Sequence, residues 1–164
     1  VVDEKDQAWN DIFFVGQNGW LVGEFGQIQR TTDGGQSWSP VSSPVKNSLM
    51  SVHFRDARHG VAVGLAGTVL VSADGGASWQ EAPPLTREHL NCVIWDGAQW
   101  VAVGDKGMRV QAGAEANDWK AGRISDKDLS WRTQVVRTAD DFVLAGANLA
   151  VLHKDELRIL GRDE

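Results

Sequence analysis

Carboxylates, histidines and one thiol are the residues of this sequence able to act on a substrate. Glu24 and Asp105 fall in matching short turns, and two acids facing each other across a cleft are the working parts of a glycosidase. Acids on exposed turns are ordinarily just solvated, so this pair stands as the alternative reading. His53, His59, His89 and His153 have no partner at metal-ligand spacing, and no cysteine joins them. Cys92, the one cysteine, lies in an apolar strand-like run and reads as a buried, inert thiol with no internal disulfide to form. No Ser–His–Asp arrangement is visible, and no phosphate-binding loop precedes a helix. Tyrosine is absent, which removes the nucleophile of a sialidase. The residues therefore predict no enzyme, no metal and no cofactor.

Composition narrows the partners. The formal net charge is −6 and the isoelectric point about 5.2, so the chain lacks the concentrated positive field that a general polyanion binder needs, and nucleic acid is not expected. No apolar run approaches the length of a membrane span. The chain opens VVDEKDQ, without Met and without a signal-like segment. The expectation is that a leader has been removed or that the chain is a segment of a longer protein.

Two further aspartates recur in a fixed frame. TTDGGQSW runs from Thr31 to Trp38 and SADGGASW from Ser72 to Trp79, 41 residues later. A short Asp side chain in such a turn can accept the turn's own N–H groups. On this reading Asp33 and Asp74 close the turn, Gly35 and Gly76 permit the bend, and Ser37 and Ser78 tie its far side. Trp38 and Trp79 place a large ring between sheets, with the indole N–H offered to a carbonyl. One carboxylate per turn is too few for calcium, which takes about six oxygens. A third copy, AGAEANDW, keeps only Trp119, with Ala114 in place of the Asp; in the fourth unit the box is lost.

The boxes belong to a larger repeat. Gly23, Gly64, Gly104 and Gly146 take the same place, 40 to 42 residues apart, and Gly26, Gly67 and Gly107 follow three residues later. Each unit reads as four short strands, in the first at about 10–15, 19–24, 27–32 and 37–41, bounded by Gly, Asn and Asp. The VGxxG step between second and third strands suits a tight hairpin with glycine at positive φ. A GxxG also marks RNA-binding KH loops, but those need flanking helices and a basic surface. No segment keeps a helical period. Four antiparallel strands per period of about 40 residues predict an all-β fold, a β-propeller of four blades at about 9–48, 49–89, 90–130 and 131–161. The outer faces of the first and last blades carry Ile12, Phe14, Val143 and Val151. The expectation is an open arc of a larger propeller, prone to self-association through those edges.

The box follows the pattern Ser/Thr-x-Asp-x-Gly-x-Ser/Thr-Trp and resembles the Asp-box, or BNR repeat. The phrases NGWLVGEFGQIQRTTDGGQSW and HGVAVGLAGTVLVSADGGASW are similar to the repeat of the photosystem II assembly and stability factors and their bacterial relatives, closely in units one and two and loosely in units three and four. That resemblance implies a non-enzymatic propeller exported to the lumen or periplasm, with a protein partner in a membrane complex. The box also recurs in sialidases, other glycosidases and sortilin-like receptors, and a carbohydrate-active propeller, hydrolase or lectin, is the alternative.

In propellers of this order the links between blades share one face with the second-to-third turns. Loops on a rigid scaffold are where function concentrates. The partner-binding residues expected on that face are Phe25, Lys46, Arg87, His89, Lys106 and Arg123, with Phe25 as an apolar anchor.

Overall fold

Short runs of β-branched and aromatic residues, each cut by Gly, Asn or Asp, leave room only for short strands. The computed structural model describes residues 6–161. Blade 1 holds β1 (Trp9–Val15), β2 (Asn18–Gly23), β3 (Ile28–Thr31) and β4 (Ser39–Val41). Blade 2 holds β5 (Leu49–Phe54), β6 (Gly60–Gly64), β7 (Val69–Ser72) and β8 (Gln80–Glu81). Blade 3 holds β9 (Leu90–Trp95), β10 (Trp100–Gly104), β11 (Met108–Ala112) and β12 (Lys120–Arg123). Blade 4 holds β13 (Arg132–Arg137), β14 (Phe142–Gly146), β15 (Ala150–His153) and β16 (Glu156–Ile159). Each blade is a four-stranded antiparallel meander in chain order. The protein is an all-β propeller arc.

The VGxxG step is a tight hairpin in which the two glycines meet different requirements. In blade 2 the first glycine, Gly64, has extended backbone, and its role is close approach: a Cβ there would lie 2.1 Å from the Ser48 carbonyl oxygen. The second, Gly67, has φ +73 and would carry a Cβ 2.0 Å from the Thr86 carbonyl oxygen. Between them Leu65–Gly67 make a tight turn, closed by the Thr68 N–H on the Leu65 carbonyl at 3.2 Å, with Ala66 left-handed at φ 55. One glycine therefore admits the strand arriving from the previous blade, and the other seats the turn on the link to the next. The same turn begins at Glu24 in blade 1, so β2 stops at Gly23 rather than at residue 24.

Two-faced sheets bury apolar side chains only against one another. The trailing face of blade 1 (Trp20, Val22, Ile28) packs on the leading face of blade 2 (Leu49, Val52, Phe54, Leu70, Trp79). Val61, Val63 and Val69 of blade 2 meet Leu90, Val93, Trp100 and Val110 of blade 3. Cys92, Val101 and Val103 of blade 3 meet Val135, Leu144, Ala150 and Leu152 of blade 4. Four blades thus share three cores among the described residues, where a closed ring of four would need a fourth core between blades 4 and 1. Ile12 and Phe14 stay 52% and 40% exposed on blade 1. On blade 4, Val143 and Val151 face each other across β14 and β15 and are half-buried, not bare as expected; Val136 beside them is 57% exposed.

The inner strands are also strapped together. Asp11 Oδ2 accepts the Val52 N–H at 2.9 Å, and Ser51 Oγ accepts the Val93 N–H at 3.0 Å. Cys92, at the matching place in blade 3, faces the Val135 N–H and donates to Gln134 Oε1 at 3.8 Å. Burial holds its thiol above the ordinary range.

Candidate partner-binding face

The turns and links form one continuous surface because the turns of blades 2 and 3 each bond to both neighbouring links. In blade 2 the Leu65 N–H donates to the Ser48 carbonyl, ahead of the turn, and the Ala66 N–H donates to His89 Nδ1, beyond it. The Asp105 N–H of blade 3 donates to the His89 carbonyl, and the Gly107 N–H to the Ser130 carbonyl. In blades 1 to 3 the crest of the turn is a non-glycine residue held in left-handed backbone: Phe25 at φ 57, Ala66 at φ 55 and Lys106 at φ 51. Such strain persists only where the surroundings over-determine it, and it concentrates at functional positions.

The expected residues fall into two groups on this surface. Phe25, 53% exposed, shares an open groove of about 620 Å³ with Trp9, Pro40, Val45 and Lys46. His89, Lys106 and Arg123 gather around the later links. His89 Nδ1 is occupied by the Ala66 N–H, which leaves Nε2 as the free ring atom. Lys106 Nζ lies 3.6 Å from Glu88 Oε1, and the Arg123 guanidinium donates to the Lys106 carbonyl oxygen. Glu88, which strand order also puts on this face, sits among them. Arg87 and Lys46 are exposed, and neither side chain has a hydrogen-bonding or ionic partner among the described residues.

The two acids of the glycosidase reading are not brought together as a pair. Glu24 Oε2 accepts the Ala8 N–H at 3.2 Å in blade 1, while Asp105 Oδ1 accepts from Asn91 Nδ2 at 3.1 Å in blade 3. Each steadies its own blade's inner strand.

The Asp-boxes lie at the other end of the strands, beside the first-to-second turns: the Gly34 N–H donates to the Gln17 carbonyl and the Gly75 N–H to that of Arg58. Asp33 Oδ1 accepts the Thr31 hydroxyl at 2.8 Å and the Ser37 N–H at 2.9 Å, and Oδ2 accepts the Ser37 hydroxyl. The Ser37 hydroxyl and N–H, then the Thr31 hydroxyl, hold the Asp33 carboxyl at about 2. For Asp74, burial works the other way, but the Ser78 and Ser72 hydrogen bonds prevail and its pKa is lowered. Trp38 Nε1 donates to the Gly35 carbonyl at 3.0 Å; Trp79 Nε1 meets no acceptor among the described residues. In the third copy Asp118 reaches back to the Gly113 N–H at 2.8 Å, and Trp119 Nε1 donates to the Ala116 carbonyl at 2.9 Å. That copy therefore keeps more than Trp119: a carboxylate from the other side of the turn closes it where Ala114 cannot.

The family model described as Photosynthesis system II assembly factor YCF48 matches residues 37–130, more than half of the chain. The chain belongs to this family. As a YCF48-family propeller it superposes on a solved YCF48 bound to D1 peptide, with TM-score 0.75 and 20% identity over 93% of this chain and 54% of that one. YCF48 from Cyanidioschyzon merolae gives TM-score 0.74 and 19% identity over 97% and 57%. An ancestral GH74 enzyme shares the fold at TM-score 0.71 and 16% identity, over 93% of this chain and 25% of that one. The chain spans little more than half the length of the two YCF48 structures. No curated protein matches it. No helix among the described residues is long and apolar enough to cross a membrane.

Proposed function

We propose that this chain is a non-enzymatic protein-binding scaffold, an exported assembly or stability factor for a membrane protein complex, and that its partner docks on the turn-and-link face. The observation that carries this reading is the row of left-handed crests, Phe25, Ala66 and Lys106, on the second-to-third turns of three consecutive blades. It presents side chains rigidly, so that little ordering entropy is lost on binding. Membership of the YCF48 family supports the same role, since one solved YCF48 holds a peptide named for D1. Phe25 supplies apolar area; Lys46, Arg87, His89, Lys106 and Arg123 meet acidic or polar partner loops. Charges at such a rim mainly set association rate and salt dependence.

The test is capture of a membrane-complex subunit from solubilised membranes by the full-length protein. Replacing Lys46, Arg87 and Arg123 together by Ala weakens capture and leaves the melting curve nearly unchanged. Phe25→Gly also weakens capture while relieving the left-handed strain, so the fold is no less stable. Robust turnover of a sialoside or glucan, or loss of capture only when blade-edge residues are changed, would overturn the proposal.

A further inference from the structure

We propose that the groove between the outer strands of blade 1 and the Asp-box of blade 2 binds a tetrahedral oxyanion, phosphate or sulfate, on the Arg30 guanidinium. The site is independent of the partner-binding face, since neither Phe25 nor Lys46 lines this groove. Arg30 leaves β3 half-buried, and its Nη2 reaches the next blade: a Cβ on Gly75 would stand 3.4 Å from it. Its Nε is shielded from solvent and meets no acceptor among the described residues, and no described carboxylate lines the groove. A guanidinium stays charged at any ordinary pH and offers five N–H donors in a rigid fork. Buried donors are rarely left without an acceptor. The guanidinium is thus a charge already placed between two blades with nothing to hold.

The walls suit such a ligand. Thr32, Ser39 and Ser42 set three hydroxyls around the same open groove of about 360 Å³, and none of the three has a side-chain hydrogen bond among the described residues. Together with the guanidinium they offer more donors than the two oxygens of a carboxylate need, and they match the four of a phosphate or sulfate. Asp33, next to Thr32 in the chain, has both oxygens engaged within its own box, by the Thr31 hydroxyl and by the Ser37 N–H and hydroxyl. The repeat isolates what is particular to this groove. Between blades 2 and 3 the same groove forms, but Val71, Ala73, Gln80 and Pro83 stand in the places of Arg30, Thr32, Ser39 and Ser42, and Glu81 and Glu115 line it. That second groove repels an anion. The fold supplies the cleft in both places, and the residues of blade 1 make the first one cationic.

Proton–nitrogen spectra of the arginine Nε–H groups, titrated on the full chain at constant ionic strength against sodium chloride, test the site. Sodium phosphate and sodium sulfate should each shift one Nε–H signal saturably, and Arg30→Gln should remove that signal. Calorimetry should show that Arg30→Gln weakens binding of both ions by about tenfold or more, as loss of a charge-assisted fork requires. Blade 3 carries Gln111 at the same place, so the variant is expected to fold, and its melting curve checks this. Lys120→Gln on the outer strand β12 removes the same charge and leaves binding unchanged. Glycerol phosphate separates two sources of the ligand: saturation by it as well places the anionic group on a larger molecule, and saturation by the inorganic ions alone assigns the site to the free ion. Shifts that merely follow ionic strength, saturable binding that survives Arg30→Gln, or acetate bound as tightly as phosphate would each overturn the proposal.

Discussion

Trp20 Nε1 donates a buried hydrogen bond of 2.8 Å to the Gly75 carbonyl, so the second strand of blade 1 is fastened to the Asp-box of blade 2. The Trp20 ring also lies flat on Phe54, with centroids 3.4 Å apart. The neighbouring Gly76 leaves no room for more: a Cβ there would stand 2.2 Å from Trp20 Nε1. Trp20→Ala should destabilise by about 3–5 kcal/mol through the cavity it opens. Trp20→Phe keeps part of the ring and loses the donor, and should cost less. Gly76→Ala should be severe despite adding one methyl group, since its φ of +79 also excludes a side chain. Denaturant melts of the three variants check this order.

The two box tryptophans should not behave alike, although their motifs are equivalent. Trp79 is 6% exposed inside the core between blades 1 and 2. Trp38 is only half-buried against Phe14 on the uncovered face of blade 1. Trp79→Ala should cost about 3–5 kcal/mol and Trp38→Ala distinctly less. Equal losses in urea melts would mean that the blade 1 face is covered in solution.

The Asp33 carboxyl titrates at about 2, below its ordinary 3.8. Unfolding frees it, so between these two values the unfolded chain binds more protons. Its contribution to stability is complete above the ordinary value and is lost as the pH falls through about 2. Asp33→Asn should melt below the wild type near neutrality, and the difference should close in strong acid. Thermal melts across that range measure it.

Arg132 occupies the position that Leu49 and Leu90 fill in blades 2 and 3, and it is 1% exposed. Its guanidinium lies 2.7 Å from Asp128 Oδ2 and donates to the Asn148 carbonyl at 3.0 Å. Burial raises the Asp128 pKa, but the Ser130 hydrogen bonds and then Arg132 outweigh it, so the carboxylate stays ionised. Asp128→Ala would leave a buried cation unpaired and should cost about 3–5 kcal/mol. Arg132→Leu combined with Asp128→Ala restores the repeat's own residue and should be neutral or stabilising. Equilibrium melts of both variants test the difference.

The repeat was legible because the first glycine of the VGxxG step answers a requirement that recurs in every blade and the second one that recurs in three, and because the box carries its own hydrogen-bond donors and acceptors. Its partners lie within six residues in Asp33–Ser37 and Asp74–Ser78, so spacing alone exposes it. The repair by Asp118 was missed because it approaches from the other side of the turn. The Arg132 network was missed because an arginine in an apolar position reads as a solvated charge until its neighbours are known. The turn-and-link face followed from strand order, but the pairing of Glu88 with Lys106 crosses from a link to a turn, and no spacing encodes it.

Local periodicity therefore determined the strands, the turns, the all-β class and the division into blades, because these depend on contacts within about 40 residues. The tertiary structure decided which face of each sheet is covered. Ile12 and Val52 are equivalent apolar residues in equivalent strands, yet one is 52% exposed and the other 2%. Nothing in their local sequence separates them. A blade's face is buried only if another blade stands against it, and that is a property of the arc as a whole.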